Sequence, residues 1–190
     1  MPIPDLKIVR ENLEPFEPDI HEAYHGAFRD FRNINILIFN ARTRATIINE
    51  LAIRRLKSLL SEKGVIIEEK YESALFIVNG VVLFKLKKGD GFGLSRSYPT
   101  PRAEAYYNHD EYNTLWPPLN RVESVYVLDS LATQIKEIYV VGRDGDAIAW
   151  KYPIMSDSIP LYQPILPFPE IPTTPPSAIV GPLDNLLPFK

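Results

Sequence analysis

VIIEEKYESALFIVNGVVLFKLKK, the run from Val65 to Lys88, reads as three β-strands in succession. The strands are Val65–Glu69, Ala74–Val78 and Val81–Leu86, each rich in β-branched and aromatic residues. Asn79-Gly80 separates the last two. A two-residue hairpin of type I′ needs positive φ at both central positions, and Asn-Gly supplies it at least cost. Three strands in a row, with no helix between them, point away from βαβ alternation and towards an antiparallel sheet.

Working outward from this run, Gly64 is a natural stop for the helix before it. That helix spans about Thr43–Lys63, with Ile47, Ile48, Leu51, Leu56, Leu59 and Leu60 on one face. An earlier helix starts at Pro18-Asp19 and carries Ile20, Tyr24, Ala27, Phe28 and Phe31 to a finish near Asn33. The apolar run Ile34–Phe39 between the two helices reads as a strand or a turn. Pro2, Pro4 and Pro15 make residues 1–17 an irregular arm. Downstream, Lys88–Pro101 is a loop rich in glycine, serine and proline. A short helix over about Arg102–Tyr112 ends before Pro117 and Pro118. Strands follow at Glu123–Leu128, Ile135–Val141 and Ala147–Tyr152, with an Asp144-Gly145 turn between the last two. The expected fold is α+β: a largely antiparallel sheet of about six strands packed on two to three helices. Residues 18–152 form its single domain.

Beyond it, residues 153–190 hold ten of the eighteen prolines, with bulky apolar side chains between them and only Asp157, Glu170, Asp184 and Lys190 charged. Disordered segments are usually poor in large apolar groups, and proline forbids a helix here. An extended ribbon docked on the domain or on a partner is expected. Its Pro-x-x-Pro spacings lack the basic residue that orients such peptides on SH3-type domains.

The remaining composition excludes several classes. The 190 residues carry a formal net charge of −3, which disfavours a globally basic nucleic-acid binder. No cysteine is present, so disulfides, thiolate metal sites and cysteine nucleophiles are excluded. The N-terminal stretch is unlike a signal peptide, and no apolar run is long enough to span a bilayer. The expectation is a cytoplasmic protein with no membrane partner.

Four patterns bear on chemistry. His21-Glu22-Ala23-Tyr24-His25 matches HExxH. On a helix, histidines at i and i+4 share a face and can hold zinc, with Glu22 as the base that activates metal-bound water. Glu50 on the next helix is a candidate third ligand. The plain alternative is an amphipathic helix with Tyr24 and Phe28 inside and both histidines solvated. A basic set comes second: Arg42, Arg44, Arg54, Arg55 and Lys57 on the long helix, Lys85, Lys87 and Lys88 on the strand, and Arg96 and Arg102 beside the loop. Arg42, Arg44, Lys85, Lys87 and Lys88 could converge on a nucleic-acid phosphate backbone. They could equally form a solvated face balanced by Glu50, Glu62, Glu68 and Glu69. Third, Glu68-Glu69-Lys70 contains the acid–x–Lys pair of metal-dependent nucleases, though the acids upstream of it read as helical. Fourth, the Gly89–Ser95 loop has the glycines of a phosphate cradle but does not open a helix directly, so a flexible connection is the better reading.

Several short segments taken together resemble one family. Arg42-Thr43-Arg44-Ala45, Phe84-Lys85-Leu86-Lys87-Lys88, Ser97-Tyr98-Pro99-Thr100, Tyr126-Val127-Leu128-Asp129 and Trp150 are similar to segments of small proteins of bacterial mobile elements. Those proteins are encoded beside helix-turn-helix regulators, some with a metallopeptidase-like domain. The resemblance covers about residues 40–152, leaves HExxH outside, and brings no assigned active residues. It implies a toxin–antitoxin or phage-defence setting. The expected function is therefore a protein-interaction component of such a module, without a cofactor and with a protein partner. The alternative is a metalloenzyme, either a zinc peptidase through His21, Glu22 and His25 or a nuclease.

Overall fold

The computed structural model describes residues 3–34, 39–70, 73–95, 100–109 and 116–155. They fall in one compact unit, Met1–Ser158; a second unit, Ile159–Lys190, lies outside the described residues.

Four α-helices and six strands are described: α1 (Leu6–Leu13), α2 (Glu17–Arg32), α3 (Ala41–Leu60), β1 (Ile66–Lys70), β2 (Ser73–Val78), β3 (Val82–Lys88), α4 (Pro101–Tyr107), β4 (Asn120–Leu128), β5 (Ile135–Asp144) and β6 (Ala147–Pro153). The strands lie side by side in chain order. All neighbours are antiparallel except β3 and β4, which run parallel. A parallel pair cannot be joined by a tight turn, and the connection between β3 and β4 accordingly carries α4. Asn79 and Gly80 take the positive φ expected of them, 52° and 66°, but Val78 pairs with Val82, so the hairpin loop holds three residues, not two.

Alternation along the strands gives the sheet two unlike faces. Phe76, Val78, Val82, Phe84, Leu86, Val122, Tyr126 and Val140 pack against α1, α2 and α3 in the main core. Leu75, Ile77 and Leu83 pack on the opposite face against Tyr106, Tyr107 and Trp116. On the first face Tyr24 donates its hydroxyl to the Ser124 carbonyl at 2.6 Å, which seats α2 on β4. Two ion pairs tie the long helices together. Arg55 donates Nε and Nη2 to Asp30 at 2.9 and 2.6 Å, and Lys63 reaches Asp19 at 2.7 Å. Arg55 crosses directly over Gly26, where a Cβ would lie 2.8 Å from its guanidinium.

The N-terminal arm corrects the reading of residues 1–17 as irregular. α1 occupies Leu6–Leu13, followed by a 3-10 turn over Glu14–Phe16. Its prolines bracket the helix instead of breaking it. Asp5 caps it by accepting from the Ile8 N–H at 3.0 Å, and Val9 and Leu13 are wholly buried. The arm is also held from the far edge, where the Trp150 indole N–H donates to the Pro4 carbonyl at 2.7 Å. Trp150 lies across Gly142, where a Cβ would come within 2.3 Å of the ring. Other differences are at boundaries. α3 starts at Ala41, capped by Asn40. β6 runs through Pro153, and the buried Ile154 still donates to the Ile138 carbonyl. α4 ends at Tyr107. The readings of Ile34–Phe39 and of the helix beyond Tyr107 fall partly outside the described residues, and that of the tail does so from residue 156.

Candidate functional site

The HExxH pattern does place two imidazoles together. His21 and His25 sit on one face of α2 with ring centroids 4.2 Å apart. Burial lowers the pKa of both, and in His25 the neighbouring His21 and Arg29 add to the effect. Glu22, the required base, is instead turned along the helix to Arg29, 2.5 Å away. Among the described residues no third histidine or carboxylate gathers with the pair. Glu50, the candidate third ligand, lies in a groove over the outer strands with Ile53, Lys57, Glu69 and Ser73. Lys57 bonds Glu69 there, which ties up one acid of the Glu68-Glu69-Lys70 motif.

The structure does not gather the basic set on one face. Lys85 and Lys87 point to the α4 face of β3, whereas Lys88 points to the helix face. Lys85 is only 8% exposed. Its amine lies over the Tyr106 ring at 3.6 Å and the Tyr107 ring at 4.5 Å. The Glu123 carboxyl group, on the adjacent parallel strand in register with Lys85, is 3.8 Å away. Burial drives the Lys85 ammonium down to about 7, against the opposing pull of Glu123.

Lys85 belongs to a buried polar cluster centred on Glu123. One Glu123 oxygen accepts from the Tyr107 hydroxyl at 2.8 Å and the other from Ser95 Oγ at 2.5 Å. Arg143 approaches the second oxygen at 3.8 Å and also donates to the Ser95 carbonyl and hydroxyl at 3.3 Å. The Arg143 guanidinium stacks on the Tyr107 ring at 3.7 Å. Its own backbone carbonyl accepts from His109 Nε2–H at 2.9 Å. Every member comes from a different segment: β3, β4, β5, α4, the residues after α4, and the glycine loop. The cluster therefore ties the crossover connection to the sheet. Its Gly89–Ser95 part closes into a tight turn. Asp90 accepts from the Phe92 and Leu94 amides at 3.0 and 3.1 Å, and Gly89 pairs with Ser95.

Sequence reasoning missed Glu123, Arg143, Tyr107 and Ser95. A signal was available. Lys85 follows the apolar run Val81–Phe84 and precedes Leu86, and a charge so placed must be matched.

Arg44 and Lys88 are brought together elsewhere, on the helix face. They line a small cavity of about 20 Å³ at the end of the sheet where β3 and β4 finish. Phe28, Phe31, Ile48 and Leu128 supply its apolar walls. Arg42 is exposed one residue into α3. The β4–β5 turn forms the rim at Ala132, a non-glycine residue held at φ 54°. That turn is built on Asp129, which accepts from the Thr133 hydroxyl and amide and from the Gln134 amide. The same end exposes large apolar side chains. Ile34 follows α2, Phe92 lies in the loop after β3, Leu131 is in the β4–β5 turn and Met155 follows β6, with 39, 80, 78 and 73% of their surface open. Among the described residues no helix is long and apolar enough to cross a membrane. No protein-family model, curated protein or solved structure matches the chain.

Proposed function

We propose that the protein is a binding component that engages a partner protein through the end of the sheet where β3, β4 and β6 finish. The observation that carries this reading is that four exposed apolar side chains, Ile34, Phe92, Leu131 and Met155, stand in segments that leave the elements at this end. Isolated apolar residues are ordinary on a surface, but several at one end of a sheet are what a protein-binding surface presents. Leu131, nearly four-fifths open, stands in a turn between core-anchored strands, and Met155, nearly three-quarters open, directly follows the buried Ile154. A bacterial regulatory or toxin–antitoxin-like, phage-defence setting, and a cytoplasmic location, belong to the same proposal. They draw on the sequence resemblance and the absence of cysteine.

The test is affinity purification of the tagged full chain from the cells that make it, scored by mass spectrometry. Leu131→Asp with Met155→Asp should lose a stoichiometric partner. Ile66→Asp, at the exposed outer edge strand, should retain it. A partner kept by the double variant, or lost only by the edge variant, would overturn the proposal.

A further inference from the structure

We propose that His21 and His25 form a two-histidine binding site for one late transition-metal ion, copper(II) ahead of nickel(II) and zinc(II). The other coordination positions fall to water or to an outside ligand. This site is independent of the partner surface, and it is not the peptidase centre of the alternative reading.

Three observations carry it. The first is geometry. The two rings lie one helical turn apart on the same face of α2, with centroids 4.2 Å apart and planes inclined by 31°. Metal–nitrogen bonds of about 2.0–2.1 Å let one ion bridge nitrogens about 3–3.5 Å apart. Histidine has a broad χ2 well, so neighbouring rings can turn to that separation with the backbone unmoved. Both residues lie well inside α2, between Glu17 and Arg32, and the helix fixes that backbone before any ion arrives. The second is hydrogen bonding. Both side chains are half-buried, and among the described residues neither ring has a hydrogen bond or an ion pair. His109, the third histidine of the chain, differs: its Nε2–H is engaged by the Arg143 carbonyl at 2.9 Å. An imidazole nitrogen that the protein leaves unbonded is free to act as a ligand. The third is the neighbourhood. Glu22 and Arg29 pair with each other at 2.5 Å, so their charges cancel beside the site. That pair also takes away the base that HExxH hydrolysis requires, and no third ligand gathers among the described residues. The arrangement fits binding of an ion, not activation of its water. Imidazole ligands suit copper(II), nickel(II) and zinc(II), and affinity at such a site is highest for copper(II). Calcium and magnesium, which take oxygen ligands, do not fit.

The experiment is isothermal titration of the full chain with copper(II) chloride, followed by electron paramagnetic resonance of the loaded protein. One copper(II) per chain should bind, with hyperfine structure from nitrogen ligands, and nickel(II) and zinc(II) should bind more weakly. His21→Ala and His25→Ala should each weaken copper binding at least about ten-fold, the loss that even an outer-shell partner costs at many metal sites. Glu22→Gln should leave the affinity unchanged, because Glu22 is not a ligand. His21→Gln with His25→Gln keeps polar side chains at both positions and serves if an alanine variant folds poorly by circular dichroism. Copper affinity that survives loss of the histidines would overturn the inference and show an adventitious ion only. So would a resonance spectrum without nitrogen ligation, binding that Glu22→Gln abolishes, zinc held more tightly than copper, or no copper bound at all.

Discussion

Lys85 and Lys88 sit three residues apart on β3 and lead opposite lives. Lys85 is enclosed on the α4 face between two tyrosine rings, with Glu123 and Arg143 beside it. Lys88 points to the helix face and shares the mouth of an apolar cavity with Arg44. The first is a charge that the fold has matched from within. The second is a half-buried charge with no carboxylate within 4.0 Å among the described residues. Composition counts both as one basic patch, but the pleat puts them on opposite sides of the sheet. Burial, more than charge, separates structural cations from cations free to bind.

Breaking the internal match should have the largest effect. Glu123→Gln leaves Lys85 and Arg143 without their carboxylate and should lower stability by about 3–5 kcal/mol, measured by urea unfolding. Little change would mean that the cluster contributes no net stability. The titration of Lys85 sharpens the same point. Its folded value is about 7, against about 10.4 in an unfolded chain. Between those values the unfolded state binds more protons, so stability should rise as pH increases from about 7. Below about 7 both states hold the proton, and burial of the charge is a constant penalty. Lys85→Met should flatten the rise in melting temperature between about pH 7 and 9.5; an unchanged rise would assign it to other groups.

Smaller effects are expected at the open end. Ala132→Gly relieves a left-handed backbone at the cavity rim and should stabilise the protein by up to about 1 kcal/mol. A loss would show that the methyl packs usefully. Arg44→Glu with Lys88→Glu should move stability by no more than about 0.5 kcal/mol, because neither side chain supports the fold. A large loss would make them structural like Lys85 and remove the contrast.

Much of the fold was legible because it is written in local periodicity. The hairpin, both long helices and all six strands follow from spacing and turn chemistry, with ends misplaced by a few residues. α1 was misread because prolines were taken as breakers; Asp5 as cap with Val9 and Leu13 four residues apart was the available signal. The site was less legible. HExxH correctly put His21 beside His25, since i and i+4 is a local relation. It did not show that Glu22 turns to Arg29. Nothing local joins Ser95, Glu123 and Arg143, which come from three segments.

The amino-acid order alone determined the elements and their apolar faces, because helix and strand periods and the Asn-Gly turn act over a few residues. Tertiary structure decided that β3 and β4 run parallel, which sends the connection across the far face and brings Tyr107 and Ser95 onto Glu123. It also decided which lysine is enclosed and which is only half-buried. Solvation of a charge depends on everything packed around it, and those neighbours are drawn from the whole chain.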